Sequence, residues 1–170
     1  MSPDDVLLSL AQVGVTLAAL SGVAGILESR RNDPRQDPIS IRLLRDVALL
    51  GMLAALFAVL PPVLHQDAAM NGAGPWRFFS ATGVILWVPL YATFLRDARK
   101  AVRSATFSWL DILLGFAIQL IGLGLLISNV VAPSAASSVR YTLAIVTVLV
   151  LAGLSFLEGA FGFRVRPPAA

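Results

Sequence analysis

Residues Val6 to Leu27, VLLSLAQVGVTLAALSGVAGIL, run for 22 positions without a charge. A helix rises about 1.5 Å per residue and needs roughly 20 apolar residues to cross about 30 Å of hydrocarbon. This stretch is long enough to do so, and it is the first of five. Val47–Leu64, Phe78–Leu95, Ile112–Ala132 and Tyr141–Leu157 are also apolar and uncharged. The last resumes after Glu158, which extends it to about residue 160. The spans at 6–27, 47–64, 78–95, 112–132 and 141–160 define one transmembrane domain over residues 1–170. The expected fold is an all-α polytopic membrane helical bundle with five transmembrane helices.

Composition agrees. Of 170 residues, 57% are hydrophobic and 14% charged, and the mean hydropathy is +0.80. Soluble domains are nearer 25% charged. The absence of cysteine excludes disulfides, thiolate catalysis and Cys-based zinc sites.

The intervening segments read as loops. Pro34 and Pro38 punctuate the first, Asn71-Gly72 and Gly74-Pro75 the second, and small polar residues the fourth. Their charge sets the orientation. Eleven of the thirteen Lys and Arg residues belong to the first loop region, the third loop and the C-terminal tail. Only Arg77 and Arg140 lie on the other side. Short basic loops stay in the cytoplasm, so the N-terminus is expected outside and the C-terminus cytoplasmic. The net charge of +3 and pI near 10.2 therefore describe topology, and no nucleic-acid partner is implied. The basic loops can also attract anionic lipid head groups.

Within the first span, Ala11, Gly14, Ala18, Ser21, Gly22 and Gly25 form a stripe of small residues. Such a stripe lets two helices approach closely. It serves as an oligomer or pore-lining seam, or as packing against a helix of the same chain. Pro89 kinks the third span, and Pro61-Pro62 is expected to end or bend the second. Trp76, Trp109, Tyr91 and Tyr141 fall near the span ends and read as an aromatic belt.

Polar residues in the slab are few: Gln12, Thr16, Thr82, Gln119, Ser128, Asn129, Thr142, Thr147 and Ser155. Gln119, near the middle of the fourth span, needs a hydrogen-bond partner from another helix or a polar ring in an oligomer. Glu28, Glu158, Arg42 and Asp46 gather near the cytoplasmic boundary. They read as a collar of pairing charges, with Arg42 and Asp46 at i, i+4 spacing, or as carboxylates lining a cation path.

Nothing in the sequence points to catalysis. His65 is the lone histidine, beside Asp67, and no phosphate loop or nucleophile motif occurs. No cofactor, catalytic residue or metal ligand is assigned.

The pattern of "ALSGVAGILESRR" followed by "IRLLRDVALLGMLAALFAVLP" resembles a group of uncharacterised small bacterial multi-span inner-membrane proteins, over roughly residues 10–65. That resemblance implies a bacterial inner membrane and no particular mechanism. The expected function is that of a non-enzymatic membrane protein, oligomer-forming or accessory to a membrane complex. The alternative is a homo-oligomeric ion or small-solute channel. A membrane enzyme or carrier fits least, for want of a polar cluster.

Overall fold

The computed structural model of the protein describes residues 3–30, 38–64, 73–103, 109–134 and 136–161. They form five helices: α1 (Pro3–Arg30), α2 (Pro38–Leu64), α3 (Ala73–Arg103), α4 (Trp109–Val131) and α5 (Ser137–Phe161). No strand occurs among the described residues. The helices outrun the apolar stretches, because charged turns continue α1, α2 and α3 beyond the apolar runs. Four helices carry segments long and apolar enough to cross a membrane: Pro3–Leu27, Leu44–Leu64, Leu113–Val131 and Ser137–Leu157. The chain is thus a multi-pass membrane protein by length and composition.

Local chemistry sets the helix ends. Pro3 and Pro38 open α1 and α2, where a missing N–H costs nothing. Asp4 and Asp5 lie in the first turn of α1, beside the positive end of its dipole. Pro133 follows α4 closely and prevents its continuation. Pro61 and Pro62, expected to end or bend α2, lie inside it, and the helix continues to Leu64.

Helices α1 and α2 form an antiparallel hairpin. A Cβ placed on Gly14 would meet the Gly51 carbonyl oxygen at 2.6 Å and the Ala55 Cβ at 3.3 Å. A Cβ on Gly51 would meet the Gly14 oxygen at 2.6 Å and the Ala18 Cβ at 3.3 Å. The approach is reciprocal: a Gly-xxx-Ala pair on each helix receives the other's backbone. One Cβ on either side would push the crossing open, and dispersion is the main attraction between helices in lipid.

Helix α5 is the centre of the bundle. It packs against α2 and α4, and also touches α1 and α3. Helix α3 lies mainly on α4. A buried apolar cluster joins the starts of α1, α3 and α5 to the later halves of α2 and α4, through Leu7, Ala58, Phe79, Leu126, Tyr141 and Ile145. The outside is apolar, with Ile85, Leu27, Phe78 and Val131 among the exposed large side chains. An apolar surface of this extent needs a hydrocarbon cover.

Candidate functional site

Polar chemistry in the described interior concentrates where α3, α4 and α5 meet. Helix α4 turns one stripe inward: Gly115, Gln119, Gly122, Leu126 and Asn129, at the three- and four-residue steps of one helix face. Asn129 is fully buried. Its amide donates to the Ser80 hydroxyl of α3 at 3.2 Å and to the Ser137 carbonyl of α5 at 2.9 Å. The carbonyl accepts only, so it fixes which way the carboxamide faces. Oδ1 of Asn129 is buried with no hydrogen-bond partner among the described residues.

The α4–α5 turn is tied by side chains. The Ser134 N–H donates to the Ser137 hydroxyl at 2.9 Å. The Ser134 hydroxyl accepts from the Ala136 N–H at 3.3 Å. Arg140 donates to the Ala132 carbonyl at 3.1 Å, where a cation meets the negative end of α4.

Beside this node stands Tyr141, fully buried. Its ring lies 5.6 Å from that of Trp76 and 6.3 Å from that of Phe79. Its hydroxyl donates to the Phe57 carbonyl of α2 at 2.9 Å. Reading Tyr141 and Trp76 as interfacial belt residues is corrected here, for both are buried at helix junctions. Helix ends that meet other helices bury their aromatics in protein, and span boundaries alone do not reveal that.

Further along the α4 stripe, Gly122 admits two neighbours. A Cβ there would collide with the Thr147 hydroxyl of α5 and stand 3.1 Å from the Trp87 indole of α3. Gln119 is buried one turn earlier, at 5% exposure.

The small residues of the first span divide. Ala11, Gly14, Ala18 and Ser21 are buried, with Gly14 and Ala18 against α2, and a Cβ built on Gly25 would stand 4.0 Å from the Leu44 Cβ. Gly22 is exposed with nothing within 4 Å of a built Cβ. Each four-residue step overshoots a turn by about 40°, so two steps from Gly14 leave the seam. Alternating steps of three and four stay on it.

Of the charged set, Asp46 is exposed. The side chains of Glu28, Arg42 and Glu158 lie outside the described residues, as do His65 and Asp67. Their helix positions are known: Glu28 and Glu158 fall in the last turns of α1 and α5, and Arg42 in the early turns of α2. The antiparallel packing gathers those turns at one end of the bundle. Among the described residues, no group of three His, Asp or Glu could hold a metal ion.

The node is therefore built of hydroxyls, one carboxamide and backbone carbonyls. Such groups hold helices in register by directional hydrogen bonds. Ser80 sits at the edge of the third span and Ser137 in the loop before the fifth, so polarity within the spans does not single them out. One available signal was Pro61: it leaves the Phe57 carbonyl, four residues earlier, without its helical donor.

Compared with protein-family models, with curated proteins and with solved structures, the chain finds no match.

Proposed function

We propose that the protein resides in a bacterial inner membrane, crosses it five times with its N-terminus outside and its C-terminus in the cytoplasm, and acts without catalysis as an oligomer-forming or accessory subunit of a membrane complex. The observation that carries this reading is the close packing of two small-residue faces within the chain. The small-residue seam is closed between α1 and α2, and the α4 stripe is closed against α3 and α5. The surfaces left for interaction are on the outside of the bundle.

Helix α3 supports a fifth crossing. Its 31 residues span about 46 Å, and Phe78–Leu95 within it carries no charge. The packing also supports the orientation. The end of α1, the start of α2 and the ends of α3 and α5 share one end of the bundle, and the basic segments flank them. That end is suited to anionic lipid head groups.

The channel alternative requires the seam or the Gln119 face to line an axis between subunits. Gln119 is 5% exposed and Gly14 is covered by α2, which weighs against it.

Native mass spectrometry in nanodiscs tests the subunit role. A closed oligomer or a stoichiometric co-purifying protein is expected; a bare monomer overturns the role. Reporter fusions within residues 31–37 should give a cytoplasmic signal, and a periplasmic one would overturn the orientation.

A further inference from the structure

The exposed faces of the crossing segments are not alike. On α4 the exposed positions of Leu113–Val131 are Leu, Ile, Val, Ala and Gly. On α5 those of Ser137–Leu157 are Val and Leu. On α2, beyond Arg45 and Asp46 at its charged start, they are Leu, Met and Val. Helix α1 differs. Opposite its α2 seam it exposes Ser9, Gln12, Thr16, Ala19, Val23 and Ile26, with spacings of three and four in strict alternation. Asp5 continues the stripe at the water-facing start of the helix.

The hydroxyls on this stripe are satisfied within α1. Ser9 donates to the Asp5 carbonyl and Thr16 to the Gln12 carbonyl, each at 2.8 Å. The Gln12 carboxamide has no hydrogen-bond partner among the described residues, and it stands roughly 7 Å from the midpoint of the Val6–Leu27 run. In hydrocarbon no water is at hand to satisfy it.

From this we infer that the exposed α1 stripe is the contact with a second copy of this chain, with Gln12 hydrogen-bonded to Gln12 across a two-fold axis along the membrane normal. The inference rests on the oligomeric reading above and names its surface.

Two features select a second copy as the occupant, and a third lets the two helices stay in contact along the stripe. A carboxamide offers both donors and acceptors and is its own complement. All copies insert with one orientation, so two α1 helices meet parallel, and a two-fold axis sets Gln12 level with Gln12. The 3.5-residue period is the one that keeps two helices in contact along a left-handed crossing. The stripe is exposed, and the main neighbours of α1 within the chain are α2 and α5.

The natural absence of cysteine makes single-cysteine crosslinking in native membranes direct. Gln12→Cys, Thr16→Cys, Ala19→Cys and Val23→Cys should each give a disulfide-linked dimer under added oxidant. Leu56→Cys and Val150→Cys, exposed on α2 and α5, should not. Gln12→Leu should weaken self-association about five- to thirty-fold, and Gln12→Asn should restore part of it. An oligomer in nanodiscs that crosslinks only through α2 or α5 would overturn this interface while leaving the oligomeric reading intact. Crosslinking of α1 to a different protein would overturn the choice of partner and favour the accessory role. A monomer overturns both.

Discussion

The hydroxyl of Tyr141 on α5 donates to the carbonyl oxygen of Phe57 on α2, 2.9 Å away, and so takes the place of the N–H that Pro61 lacks. In an α-helix the carbonyl of residue 57 accepts from the nitrogen of residue 61. Proline has no hydrogen there. A tyrosine from a neighbouring helix completes the ladder, and α2 runs on to Leu64.

Tyr141→Phe leaves that buried carbonyl without a donor and should cost about 1–3 kcal/mol. Pro61→Ala restores the backbone N–H. In that background the cost of Tyr141→Phe should fall markedly, a coupling readable in a double-mutant cycle of unfolding in bicelles. Equal costs in the two backgrounds would refute the substitution of one donor for the other.

Glycines that look alike in the sequence should respond differently. Gly14→Ala places a methyl against the Gly51 carbonyl and should destabilise the hairpin by about 1–3 kcal/mol. Gly22→Ala meets open space and should leave stability unchanged or slightly raised, since alanine favours the helix. Thermal inactivation in one detergent compares them. Similar losses for both would contradict the assigned register.

Gly122→Ala drives a methyl into the Thr147 hydroxyl and the Trp87 indole. The expected result is a destabilisation of about 1–3 kcal/mol and a shift in tryptophan emission. Adding Thr147→Ala, which removes the hydroxyl, should recover part of the loss. An emission spectrum identical to the wild type would argue against close contact of the indole with Gly122.

Asn129→Leu removes both amide donors and puts a bulkier group between α3 and α5. It should lower stability by about 1–2 kcal/mol. Asn129→Asp removes the same donors with little change of shape, and it should be at least as damaging because a carboxylate would face the Ser137 carbonyl. Hydrogen exchange localises the effect: amides early in α5 should lose protection before those of α1.

Much of this architecture is legible from run lengths alone, since uncharged stretches of 17 to 22 residues announce helices in lipid. Gly14 and Ala18 are legible as a close-packing pair for the same reason. Their target is harder to see, because Gly51 and Ala55 lie in a longer alanine-rich run where many registers look equivalent. Gly22 lies a four-residue step beyond Ala18, and on a helix that turns every 3.6 residues that step carries it off the α2 face. Asn129 is visible as a polar residue in a span, yet its partners Ser80 and Ser137 come from two other helices, and only their packing joins them. Tyr141 misled most. At a span boundary the same residue serves an interface or a junction, and the choice depends on which helix stands beside it.

The central place of α5 bears on how the molecule is made. It is the last of the five helices in chain order, yet the α1–α2 and α3–α4 hairpins meet chiefly through it, with only slight direct contact between α2 and α3. Without α5 the two hairpins have little packing to join them. Docking of one hairpin on the other is therefore expected to follow the synthesis of α5. A chain broken off before that point would hold two loosely associated halves, with the Asn129 amide deprived of the Ser137 carbonyl of α5.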